Sequence, residues 1–160
     1  MQVNIELALK MREVHQLFER KIDNDRLFIQ AILHKFNLVM SHSKQKTPQK
    51  FNVFSQIEQA MMTLTQQFSD EISCFHEVLN KRKDFNNTKI NFIAQFHPMI
   101  TVSNPLGMRL VEFIEIYDQL IATTKLLNLA GCFMSDNDYY ANIKRTQKLA
   151  NRMLSHILLS

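Results

Sequence analysis

Apolar residues recur at helical spacing along most of this 160-residue chain. From Ile5 to Met40 they fall at Leu7, Met11, Val14, Phe18 and Ile22, then at Ile29, Leu33, Phe36 and Met40. That spacing predicts a long helix, bent or split by the polar patch Asp23–Asn24–Asp25–Arg26. A loop is expected at SHSKQKTPQK, which holds Pro48. A second stripe through Phe54, Ile57, Met61, Leu64, Phe68, Ile72, Phe75 and Leu79 predicts a helix over 51–79. It runs into KRKDFNNTK, where Lys81, Arg82 and Lys83 suit the negative end of a helix and Asn86-Asn87 suits a turn. The third helix has a clear start, with Asn104 as cap and Pro105 at the first helical position, where its missing N–H costs nothing. Leu106, Leu110, Phe113, Tyr117, Leu120, Thr124 and Leu127 follow, and Gly131 is a natural stop. Ser135-Asp136-Asn137-Asp138 then opens a last helix with acids at its positive end.

One segment breaks the helical rule. From Phe92 to Val102 one parity reads Phe92, Ala94, Phe96, Pro98, Ile100, Val102, and the other reads Ile93, Gln95, His97, Met99, Thr101, Ser103. This is the period of a half-buried strand. Pro98 cannot donate a ladder hydrogen bond, so it marks an edge or a break. The firmest strand is Met99–Ser103, with a second piece at Ile90–Phe96. A lone strand cannot satisfy its own backbone groups. Two resolutions follow: the two pieces fold back on each other, for which His97-Pro98 is a poor hairpin turn, or the strand pairs with its copy in a second chain. The second gives a symmetric ribbon followed by two helices, the outline of a ribbon-helix-helix dimer that sets its ribbon into the DNA major groove. Its outer face would show Gln95, Thr101 and Ser103, and the amides near Asn104 and Leu106 would face a phosphate. The plainer reading is an extended segment that covers the core and shows its polar side to water.

Composition sharpens this picture. Two glycines and three prolines leave little for loops, while nine methionines and twelve phenylalanines supply core volume without tryptophan. The length suits a single domain over 1–160, with 1–89 as an N-terminal helical pair and 90–160 as a strand-helix-helix unit. The fold class expected is mainly α: about four long helices and one short β-strand segment. Cys74 and Cys132 show no motif spacing and read as reduced thiols. The N-terminal stretch carries Glu6 and Lys10, which argues against a secretory signal, and no uncharged run reaches the length of a membrane helix. A cytoplasmic location without membrane contact is expected.

The net charge of +4 is uneven: residues 1–46 carry eight Lys/Arg against five Asp/Glu, and 135–160 carry four against two. Lys144, Lys148, Arg152 and His156 fall four apart and form one stripe of the last helix, with Arg145 beside it. Together with Lys81, Arg82, Lys83 and Lys89 it is the candidate for phosphate contact, and a solvated face fits the same pattern. Enzymatic chemistry finds no support. His76-Glu77 resembles the start of a zinc-protease helix, but Asn80 stands where the second histidine belongs. The histidines and cysteines lack metal-ligand spacing. Glu112, Glu115 and Asp118 read as a solvated face, with Asp118 exposed or paired locally. Tyr117 reads as a core ring whose hydroxyl reaches a partner. No cofactor, metal or catalytic residue is expected.

The run ITVSNPLGMRLVEFIEIYDQLIATTKLLNLAG resembles the C-terminal part of the AcaB-like transcriptional regulators and related proteins of integrating conjugative elements, with Tyr117-Asp118-Gln119-Leu120 and Leu129-Ala130-Gly131 at the matching positions. The resemblance covers about residues 90–160. It implies a bacterial regulator of a mobile element with a ribbon-helix-helix-type unit, acting on double-stranded DNA as a homodimer. The alternative is a helical adaptor or scaffold that binds another protein through an apolar helix face.

Overall fold

The computed structural model describes residues 1–23, 25–43, 48–82 and 90–160. The chain is mainly helical: β1 (Val3–Glu6), α1 (Arg12–Glu19), α2 (Phe28–Ser43), α3 (Pro48–Asn80), β2 (Met99–Val102), α4 (Pro105–Leu129) and α5 (Asp136–Leu159). Pro48, expected in a loop, is the first residue of α3, a position where proline is tolerated.

The N-terminal stretch departs from the expected single helix. Val3–Glu6 is a strand, and two helices follow it. The split falls at the polar patch, where Asp25 adopts φ 71°. Ile22 N–H donates to Arg26 O at 2.8 Å and Phe28 N–H to Arg20 O at 2.8 Å, which reverses the chain into α2.

β2 does not wait for a second chain. It pairs antiparallel with β1 of its own chain, in the register Val3↔Val102, Asn4↔Thr101, Ile5↔Ile100, Glu6↔Met99. The same register runs on past the strands, with Leu7 N–H donating to Pro98 O at 2.9 Å and Leu9 and Phe96 exchanging bonds of 2.8 and 3.1 Å. A hydrogen-bonded antiparallel pair normally exchanges two bonds; Pro98 has no N–H to return, so the ladder breaks there, as expected. The predicted alternation holds throughout, with Ile100 and Val102 buried and Met99 and Thr101 exposed.

The extended segment has a topological cause. Arg109 lies 3.8 Å from Glu58, the Phe113 and Phe68 rings are 5.6 Å apart, and Arg82 reaches Gly131 O at 2.8 Å. Helices α3 and α4 therefore run parallel, and the chain must travel back along α3 before α4 begins. From residue 82 to residue 58 that is about 36 Å. Residues 95–102 are extended, with β2 at their end, and so cover roughly 23 Å of it, where the same residues as a helix would cover only about 10 Å.

Helix α4 is the central element. It packs on α1, α2, α3, α5 and β2 and is buried nearly all round, which explains why its apolar residues exceed a single stripe. Asn104 Oδ1 accepts from Gly107 N–H at 3.0 Å, confirming the predicted cap. At its other end Gly131, with φ 72°, lets Cys132 N–H reach Leu127 O and Gly131 N–H reach Asn128 O, both at 3.0 Å. One continuous core runs from Leu7 to Ile157, with Phe68, Phe113 and Tyr117 fully buried at its centre.

Candidate nucleic-acid interface

The basic row of α5 follows from how that helix is fixed. Ser135 Oγ accepts from Asp138 N–H at 3.2 Å, and Asp136 and Asp138 sit in the first turn, where the helix end is positive. Ile143, Ala150, Leu154 and Ile157 face the core. Lys144, Lys148, Arg152 and His156 consequently all stand exposed on one side, at a rise of about 6 Å per step. Arg145, beside the row, is drawn away into an ion pair with Glu71 of α3. Glu71 meets Arg145 in the C-terminal third of α3, and Asn52, near the start of α3, lines a groove together with His156, near the end of α5. Helices α3 and α5 are therefore antiparallel neighbours.

The ribbon candidates are partly engaged inside the chain. Thr101 Oγ1 donates to Asn4 Oδ1 at 2.8 Å. Ser103 Oγ and Asn104 Nδ2 both donate to Asn37 Oδ1 of α2, at 2.9 and 2.7 Å. The Gly107 amide, at the helix start where a phosphate site was expected, is bonded to the Asn104 cap. Gln95 is exposed, and its backbone N–H donates to Leu9 O at 3.0 Å. The outward side of the sheet also presents Glu6, whose carboxylate lies 3.7 Å from His97 Nδ1. At the end of α3, Lys81 is exposed and Arg82 is tied to the α4–α5 turn through Gly131 O. Lys83, Lys89 and the Asn86-Asn87 turn lie outside the described residues. The candidates thus form separate groups: the exposed row of α5, and the outer face of the two-stranded sheet.

Asp118 differs most from expectation. It is 5% exposed, and its carboxylate takes the Lys10 N–H at 3.0 Å and the Met11 N–H at 2.9 Å, holding the entry to α1. Burial pushes its pKa above the ordinary carboxylate value, against the pull of those two amides and of the Lys10 ammonium. Tyr117 beside it is a core ring as expected, but its hydroxyl has no hydrogen-bond partner among the described residues, and burial drives its pKa far up. In the run LVEFIEIYDQLIA, Asp118 falls at helical spacing between the buried Ile114 and Ile121, the available sign that it faces inward, whereas Glu112 and Glu115 are exposed. Glu13 and Lys125 complete the α1–α4 junction with a partly buried ion pair at 2.8 Å. Asn37, which gathers Ser103 and Asn104, carries no such sign.

Among the described residues no helix is long and apolar enough to cross a membrane. The architecture is that of a mainly α bundle around a central helix, with a small antiparallel sheet closing one side. No protein-family model matches the sequence, and no curated protein does. Among solved structures, the crystal structure of selenomethionine-containing AcaB from uropathogenic E. coli is similar, with a TM-score of 0.79 over 98% of this chain and 77% of that one. The two sequences are 11% identical. The likeness is one of fold, across the N-terminal half as well as residues 90–160, and not a sequence-level family relationship.

Proposed function

We propose that this chain is a DNA-binding transcriptional regulator associated with a conjugative or integrative mobile element, acting as a dimer. The observation that carries the reading is the whole-chain likeness to the fold of AcaB. The exposed row Lys144, Lys148 and Arg152 supplies affinity by neutralising phosphates. Base reading falls to the outer face of the sheet, where Gln95 and Thr101 stand exposed.

The test is binding to duplex DNA across a salt series, with random DNA beside fragments from the chain's own genomic neighbourhood. Tight binding to one fragment that survives moderate salt is expected. Lys144→Ala/Lys148→Ala/Arg152→Ala should weaken binding to all sequences and reduce the slope of log K against log salt by about 0.9 for each phosphate no longer neutralised. An unchanged slope in the folded variant removes the row from the account. Absence of DNA binding by the parent protein ends the regulator reading, and a light-scattering mass of one chain ends the dimer.

A second reading, a non-enzymatic helical adaptor that binds another protein, is favoured by one observation. The strand is paired within its own chain, so it supplies no reason for a twofold ribbon.

A further inference from the structure

Helices α3 and α5 leave an open groove of about 730 Å³ between them. Its apolar lining comes from both walls at helical spacing: Ala60 and Leu64 on α3, Leu149 and Met153 on α5. The α3 wall has an unusual surface. Asn52, Gln56, Gln59, Thr63 and Gln67 line it, all exposed and none charged, on a chain that is 21% charged overall. Loss of charge around an apolar centre marks the buried part of an interface, whereas a solvated helix face normally carries both signs. Among the described residues, the only charged or titratable groups lining the groove are Arg152 and His156, both on the α5 wall.

These features choose the occupant. A second copy placed about a twofold axis would set groove against groove, leaving the hollow unfilled. Duplex DNA would find an apolar floor and an uncharged amide wall along one side. We infer that the groove receives an amphipathic helix of a protein partner, with its apolar ridge on Leu64, Leu149 and Met153 and its acidic side on Arg152 and His156. The amides and hydroxyls of α3 border the other side of that ridge. The inference shares only Arg152 with the DNA reading, since Lys144 and Lys148 lie outside the groove.

The probe is a fluorescein-labelled, helix-forming peptide with leucines at i, i+4, i+7 and i+11 and glutamates along one flank. Its control replaces each glutamate by lysine. Anisotropy titrations should show the acidic peptide binding about tenfold or more tighter than the basic one. Met153→Asp, at a partly exposed position, should abolish binding with the far-UV circular dichroism unchanged. Arg152→Glu/His156→Glu should remove or reverse the preference between the peptides. Equal binding of both peptides, no binding by folded parent protein, or binding that survives Met153→Asp would overturn the inference. So would a dimer that Met153→Asp converts to monomer, or duplex DNA whose affinity falls with Met153→Asp, because each names a different occupant.

Discussion

The chain's two glycines are needed for opposite reasons. At Gly131 nothing lies within 4 Å of where a Cβ would sit, but φ is +72°, so the requirement is conformational. Gly131→Ala should cost about 1–2 kcal/mol through the left-handed backbone alone. At Gly107 the requirement is space: a Cβ there would stand 2.9 Å from Val102 Cγ1 and 3.4 Å from Cγ2. Val102 is buried and branched at Cβ, so it has little freedom to turn aside. Gly107→Ala should therefore destabilise by about 1–2 kcal/mol. In a Val102→Ala background the clash disappears and alanine's helix propensity remains, so the same substitution should stabilise by up to about 1 kcal/mol. Urea titrations of the four proteins give both numbers, and the absence of a sign change would show that Val102 is not the obstacle. These residues set how closely α4 lies on β2, and with it the position of the sheet's outer face.

At the scale of elements, α1 depends on a group from a helix far along the chain. Asp118→Ala leaves the Lys10 and Met11 amides without an acceptor, at a cost of about 2–4 kcal/mol, while Asp118→Asn keeps one acceptor and should cost less. The pH dependence has a definite sign. The folded-state pKa lies above the ordinary one, so the folded chain holds the proton more tightly and its stability falls as pH rises from the ordinary carboxylate value through the raised one. Asp118→Asn should remove that slope in a pH series of urea melts. If the slope survives, it belongs to other carboxylates. The caps of α4 and α5 and the parity of 92–102 were legible because each is written in a few adjacent residues: Asn104-Pro105, Ser135 to Asp138, and the alternation itself. β1 was equally written, since Val3, Ile5, Leu7, Leu9 and Met11 alternate. Leu7 and Met11 also fit the helical series with Val14 and Phe18, and two periods sharing the same residues cannot be separated by pattern alone. What resolves them is β2, some hundred residues away, and Asp118, whose partners are equally distant. Of the candidate site, the α5 row was legible from its four-residue step. The engagement of Ser103 and Asn104 by Asn37 was not, because no local pattern sets α2 beside the start of α4.

For the whole molecule, the strand-helix-helix half does not complete its own structure. Residues 90–160 hold β2, α4 and α5, but β2 takes its ladder partner from Val3–Glu6. The aromatic face of α4 is covered by Phe68 of α3, and among the described residues Asp118 takes its hydrogen bonds from Lys10 and Met11. Removing residues 1–89 would expose Phe113, Tyr117 and Ile100 together, each about 1% exposed or less in the full chain. Burial of such side chains is worth about 1.5–3 kcal/mol apiece, against a total stability of only about 5–15 kcal/mol for a domain. The fragment 90–160 should therefore show no cooperative thermal transition by circular dichroism, and it should not bind DNA even though it retains the whole α5 row. A cooperative melt, or DNA binding with the parent's salt slope, would mean that the strand-helix-helix unit stands alone. In that case the N-terminal elements would be an addition to an autonomous DNA-binding module rather than half of its core.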